Sequence, residues 1–131
     1  MASTYKRVHA VHGTLTLAQI NASTRAGTLI LAAAPGRTYT VVDTWMRALG
    51  GNAGGATAVI LTDETPTTIT STTAGTLTQN TVVRMGVSGC TSTNVGTAMA
   101  GGKGLRIGCT VADLTTCTGG IEYYVEYLVT S

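Results

Sequence analysis

The clearest periodicity in the chain lies near its C-terminal end. In IEYYVEYLVT, residues 121–130, Ile121, Tyr123, Val125, Tyr127 and Val129 fall on one side of an extended strand. Glu122, Tyr124, Glu126 and Leu128 fall on the other. A longer candidate strand, RTYTVVDTWMRAL at 37–49, sets Tyr39, Val41, Asp43, Trp45 and Arg47 against Thr40, Val42, Thr44, Met46 and Ala48. Both of these faces are mixed, which predicts a strand covered on two sides, or one with a core side and a subunit-contact side. The glycine-rich GGNAGG at 50–55 then reads as a turn and ATAVILTD at 56–63 as the returning strand. Residues 37–63 therefore predict a long hairpin, closed by Asp63-Glu64-Thr65-Pro66.

Shorter elements fill the rest. TLTLAQI at 14–20 alternates Thr with Leu and predicts a strand with Leu15 and Leu17 on one face. TLILAA at 28–33 reads as a buried strand before the Ala34-Pro35-Gly36 turn, and GLRIGCTV at 104–111 as another strand. Residues 67–95 read as strand or loop, with Leu77, Val82, Val83 and Met85 compatible with a brief helical turn. In residues 1–13, MASTYKRVHAVHG, Val8 and Ala10 alternate weakly with His9 and Val11, so this arm can add to a sheet edge, and Gly13 ends it. Short strands, glycine-rich turns and no long amphipathic helix predict an all-β antiparallel β-sandwich or jelly roll. Residues 14–131 form its single domain behind the arm at 1–13.

Composition changes the picture of the surface. Charged residues make up 11% of the chain, against about 25% in a typical soluble domain, and Phe is absent. Thr, Ser, Ala, Gly and Asn must then cover the outside. Hydroxyls and methyls lose far less on burial than charges do, so such a surface is cheap to desolvate against neighbours. The net charge of +2 resides in Lys6 and Arg7, while the remaining six bases balance six acids. No basic stripe for nucleic acid and no polybasic membrane patch follows from that distribution. No stretch reads as a signal peptide or a membrane span, so synthesis in a cytosol without secretion is expected. Cys90, Cys109 and Cys117 match neither a disulfide framework nor zinc-ligand spacing and read as small buried thiols.

Candidate chemistry is sparse. His9 and His12, three residues apart, fall on opposite faces of a strand and read as solvent or interface side chains. Glu122 and Glu126 share a face about 13 Å apart, too wide for a glycosidase pair. Asp43, next to Trp45, reads as the partner of a nearby Arg or of a backbone N–H. Gly101-Gly102-Lys103-Gly104 lacks the order of a phosphate loop and reads as a hairpin turn. No catalytic residue, metal ligand or cofactor site is expected.

The stretch AAAPGRTYTVVDTWMRALGGNAGGATAVIL, with GGKGLRIGCT and the closing GGIEYYVEYLVTS, resembles small structural proteins of tailed bacteriophages. The resemblance covers roughly residues 27–63 and 100–131. It implies a β-sandwich virion component without enzymatic activity: a capsid decoration (cement) protein that binds the major capsid protein on the outside of the shell. A tail or fibre subunit, or a module that binds a host-surface glycan through Trp45 or a tyrosine, is the alternative. Within this reading the protein is made in the bacterial host cytoplasm and ends on the virion exterior. The charge and histidines of the arm make Tyr5, Lys6, Arg7, His9 and His12 candidates for capsid docking. Tyr39, Trp45 and Met46, too bulky together for a core of Val, Leu and Ala, are candidates for self-association as a homo-oligomer, most simply a trimer.

Overall fold

A computed structural model describes residues 7–130. The chain runs through β1 (Val8–Leu15), a short helix α1 (Leu17–Asn21), β2 (Thr28–Leu31), β3 (Thr38–Leu49) and β4 (Ala58–Asp63). It continues through β5 (Thr68–Thr73), a 3-10 turn at Ala74–Thr76, β6 (Val83–Arg84), β7 (Cys90–Ser92), β8 (Leu105–Cys109) and β9 (Gly120–Thr130). The strands form two antiparallel sheets, one ordered β1-β9-β3-β6 and the other β2-β8-β4-β5-β7. The sheets stack as a β-sandwich. Val41, Met46, Ile121 and Val125 of the first join Val59, Leu61, Leu105 and Ile107 of the second in one core cluster.

The alternation at 121–130 holds: Ile121, Tyr123 and Val125 are buried, and Glu122, Tyr124 and Glu126 stand on the outer side. In β3 the alternation breaks once. Val41 pairs with Tyr127 and Asp43 with Glu126, so Val42 is an extra residue without a partner. A bulge of this kind shifts the side-chain phase by one residue. Tyr39 and Val41 point inward before it, and Thr44, Met46 and Ala48 point inward after it. The mixed faces expected for 37–49 are thus two clean half-faces spliced at Val42. Tyr39 at 5% exposure and Met46 at 2% fit the core after all, so neither is available for self-association.

Three further expectations are corrected. Residues 37–63 are not a hairpin, because β3 and β4 lie in different sheets and the 50–57 segment carries the chain across the sandwich. Residues 14–20 are not a strand. Thr16 accepts the Gln19 N–H at 3.2 Å and donates its own N–H to Gln19 Oε1 at 2.8 Å, a capping box that starts α1 and buries Ile20. β2 is an edge strand, half-buried, with Leu29 exposed.

The arm does not end at Gly13. β1 passes through it and pairs with β9 from Val8↔Leu128 to Leu15↔Ile121, so a domain boundary there would cut a strand. Glycine suits this position because a Cβ would lie 2.7 Å from the Tyr123 hydroxyl across the pair. Tyr5 and Lys6 lie outside the described residues, and Arg7 is exposed just before β1.

Residues 67–95 resolve into β5, the 3-10 turn, β6 and β7. The 79–102 segment also covers the outer edge of β3: the N–H groups of Asn80, Gly96, Met99 and Gly102 donate to the carbonyls of Ala48, Val41, Tyr39 and Arg37. Asp63 is fully buried at the end of β4. Its Oδ1 accepts the N–H groups of Thr65 and Thr67 at 2.9 and 2.7 Å, and its Oδ2 accepts the Thr65 hydroxyl at 3.0 Å. The three cysteines are free and buried, as expected. Burial pushes the thiols of Cys109 and Cys117 upward in pKa.

Candidate functional site

Strand register builds one organised patch of side chains, on the outer face of the β1-β9-β3-β6 sheet. Tyr124 on β9 lies opposite His12 on β1 and Trp45 on β3, and Trp45 lies opposite Arg84 on β6. The result is a row across all four strands. Trp45 and Tyr124 stack nearly parallel, with centroids 5.8 Å apart and planes at 12°. His12 packs at 5.8 Å from Trp45 and edge-on at 6.3 Å from Tyr124.

Charged residues flank the row and are consumed by one another. Asp43 Oδ2 accepts from Arg84 at 2.5 Å, while its Oδ1 accepts the Thr44 N–H at 2.9 Å. Glu122 Oε1 accepts from Arg47 Nε at 2.8 Å, and Glu122 Oε2 lies 2.7 Å from His12 Nε2. Tyr124 donates its hydroxyl to Glu126 Oε1 at 2.6 Å. The hydrogen bonds from His12 and Arg47 hold the Glu122 carboxyl below its ordinary value of 4.5. The Glu126 carboxylate, as acceptor, pushes the Tyr124 phenol upward. A carboxyl lowered on folding stabilises the fold above its unfolded pKa, and that stability is lost as pH falls through the folded value. Urea unfolding from about pH 6 down to about pH 3 should therefore show a flatter loss of stability for Glu122→Gln than for the parent. Equal slopes would mean that the ion pairs contribute nothing to folding.

The anticipated residues separate. His9 and His12 do fall on opposite faces. His9 points to the inner side, half-buried and stacked 5.5 Å from Tyr127, so only His12 joins the outer row. Trp45 faces outward, and the anticipated Arg partner of Asp43 is Arg84. Glu122 and Glu126 share a face, each engaged by a neighbour. Tyr124, Arg47 and Arg84 were not anticipated as members of one patch. The outward register of Tyr124 in 121–130 was the available sign, but its partners lie on distant strands.

The arrangement offers fixed aromatic groups within a frame of hydrogen-bonded charges. Among the described residues no cluster of three or more His, Cys, Asp or Glu is placed to hold a metal ion, and no helix is long and apolar enough to cross a membrane. Comparison with protein-family models, curated proteins and solved structures gives no match.

Proposed function

We propose that this chain is a structural protein of a tailed-phage virion, a decoration protein that binds the outside of the capsid and ties together neighbouring copies of the major capsid protein. The observation that carries the reading is the outward row of Trp45, Tyr124 and His12. Trp and Tyr held rigidly among satisfied charges are the side chains that dominate protein–protein contacts. Trp45 and Tyr124 stack nearly parallel and so present one rigid aromatic unit to a partner. We read the β-sandwich, with β7 set aside and sheet orders 1-9-3-6 and 2-8-4-5 taken as two interleaved Greek keys, as a jelly roll, an architecture used by viral capsid domains, and this supports the same reading. The resemblance of residues 27–63 and 100–131 to phage structural proteins points the same way.

A protein that binds only the assembled shell stabilises it by its binding free energy. Self-association as a trimer adds attachment points and avidity. In this reading Trp45 keeps its role in association and Tyr124 takes the place of Tyr39 and Met46. His12 and Arg7 remain docking candidates, although β1 is part of the sheet. Removing residues 2–12 would accordingly uncover the β9 edge rather than detach a tail.

Quantitative mass spectrometry of purified particles tests the assignment. Copy numbers in the hundreds are expected. A handful would mean a tail or fibre subunit, and none would overturn a virion role. Light scattering on the isolated protein should show a trimer at micromolar concentration. Trp45→Ala should weaken the association by about thirtyfold, the equivalent of about 2 kcal/mol, with little change in urea unfolding. A monomeric parent would end the oligomer proposal.

A further inference from the structure

The outer face of the other sheet carries a separate cavity. Arg106 on β8 sits between Thr62 on β4 and Leu29 on β2. Two residues further on, Gly108 leaves a notch in this face. A Cβ there would stand 2.3 Å from the Arg25 carbonyl oxygen, so the notch lets the 22–27 loop lie directly on the strand. The loop is pinned in place: Cys109 N–H donates to Arg25 O at 3.1 Å, and Gly27 N–H donates to Ala22 O at 3.0 Å.

Within the loop Ser23, Thr24 and Arg25 all have positive φ, at 52°, 52° and 72°. Left-handed backbone costs a non-glycine residue about 1–2 kcal/mol, and three in succession are held only by the surrounding structure. Strain of this kind clusters at ligand clamps. Here it places Arg25 at a cavity of about 340 Å³ that also includes Ile60, Glu64, Pro66 and Arg106. That volume falls within the range of small-molecule sites, about 300–1,000 Å³.

The polar groups of the cavity are under-used. Arg106 Nε is buried and makes no hydrogen bond to any described residue. Arg25 reaches Asp113 only at 3.5 Å. Glu64 uses Oε1 to accept the Gly104 N–H at 2.7 Å and forms no ion pair among the described residues. Asp113 balances Arg25 and Glu64 stands apart, so Arg106, without an ion-pair partner among the described residues, is the group that offers charge to an anion.

We infer that this cavity binds a small organic acid, its carboxylate held by Arg106 and Arg25 and a hydroxyl or ammonium group of its body donating to Glu64. Guanidinium forks match a planar carboxylate in charge and geometry. Ile60 and Pro66 supply apolar surface for the rest of the molecule. A dianionic phosphate would bring its second charge beside Glu64, so a monoanion fits better. The inference does not depend on the virion role, because it concerns the opposite sheet.

The test is titration of the labelled protein with D-glucuronate and L-glutamate, followed by amide NMR shifts, with D-glucose and inorganic phosphate as comparisons. Saturable shifts at residues 24–26, 64 and 106 are expected for at least one acid, with none for glucose and weaker ones for phosphate. Arg106→Gln should weaken acid binding by about tenfold or more. Glu64→Gln keeps an oxygen for Gly104 but removes the charge, so phosphate should then bind at least as well as the acid. Absence of saturable shifts with both acids would overturn the assignment, as would unchanged affinity in a folded Arg106→Gln. If Arg106→Gln does not fold, the phosphate response of Glu64→Gln decides.

Discussion

Deleting Val42 should abolish folding. Without the extra residue, the two halves of β3 fall into one continuous alternation, and one half must turn over. Either Tyr39 and Val41 leave the core, or Thr44, Met46 and Ala48 leave it while Asp43, Trp45 and Arg47 turn in. Burying Asp43 and Arg47 away from their present partners costs several kcal/mol per ion. The expected loss exceeds about 5 kcal/mol, comparable with the whole stability of many domains. Circular dichroism and urea unfolding should find the deletion variant unfolded or insoluble. Val42→Thr keeps the residue count and should cost less than about 1 kcal/mol. A deletion variant that unfolds with the parent's cooperativity would show that β3 does not need the bulge to set its two faces.

The second large effect is expected at Asp63. Its carboxylate organises the β4–β5 turn from a fully buried position, accepting two backbone N–H groups and the Thr65 hydroxyl. Asp63→Ala leaves the N–H groups of Thr65 and Thr67 without their acceptor. Thr65 is exposed and Thr67 half-buried, so water replaces part of the lost acceptor and a total of about 2 kcal/mol is expected in urea unfolding. Asp63→Asn retains an oxygen for both N–H groups and should lose much less. If the alanine and asparagine variants are equally stable, the carboxylate is a bystander in the turn.

Much of the β architecture was legible because alternation reports a strand with one wet and one dry face. Ile121, Tyr123 and Val125 turn inward as their spacing requires, and the low charge with glycine-rich turns points to stacked sheets. The candidate patch was legible only in fragments. His12, Trp45 and Tyr124 meet because β9 inserts between β1 and β3, and no local pattern encodes that insertion. The bulge was hidden for a different reason. A single extra residue in TYTVVDTWMRAL leaves composition untouched and reverses every later side chain, so Trp45 and Met46 exchange faces. The capping box at Thr16 and Gln19 was masked by Thr/Leu alternation, which imitates a strand over so short a span. Arg25 and Arg106, far apart in sequence, meet only because Gly108 lets a loop settle on β8.

The position of β9 between β1 and β3 also dictates when the molecule can form. Leu15 waits for Ile121 and Val8 for Leu128, partners made more than a hundred residues later. At ribosomal speeds of about 5–20 residues per second, the first strand spends roughly 5–25 s without its neighbour. Pairing across such separations is also intrinsically slow, since long loops must close before any contact repays them. Nascent β1 and β3 therefore present open edges throughout synthesis. The two histidines and the glycine of β1 suit it to that delay, because a stickier strand would find another chain before it found β9.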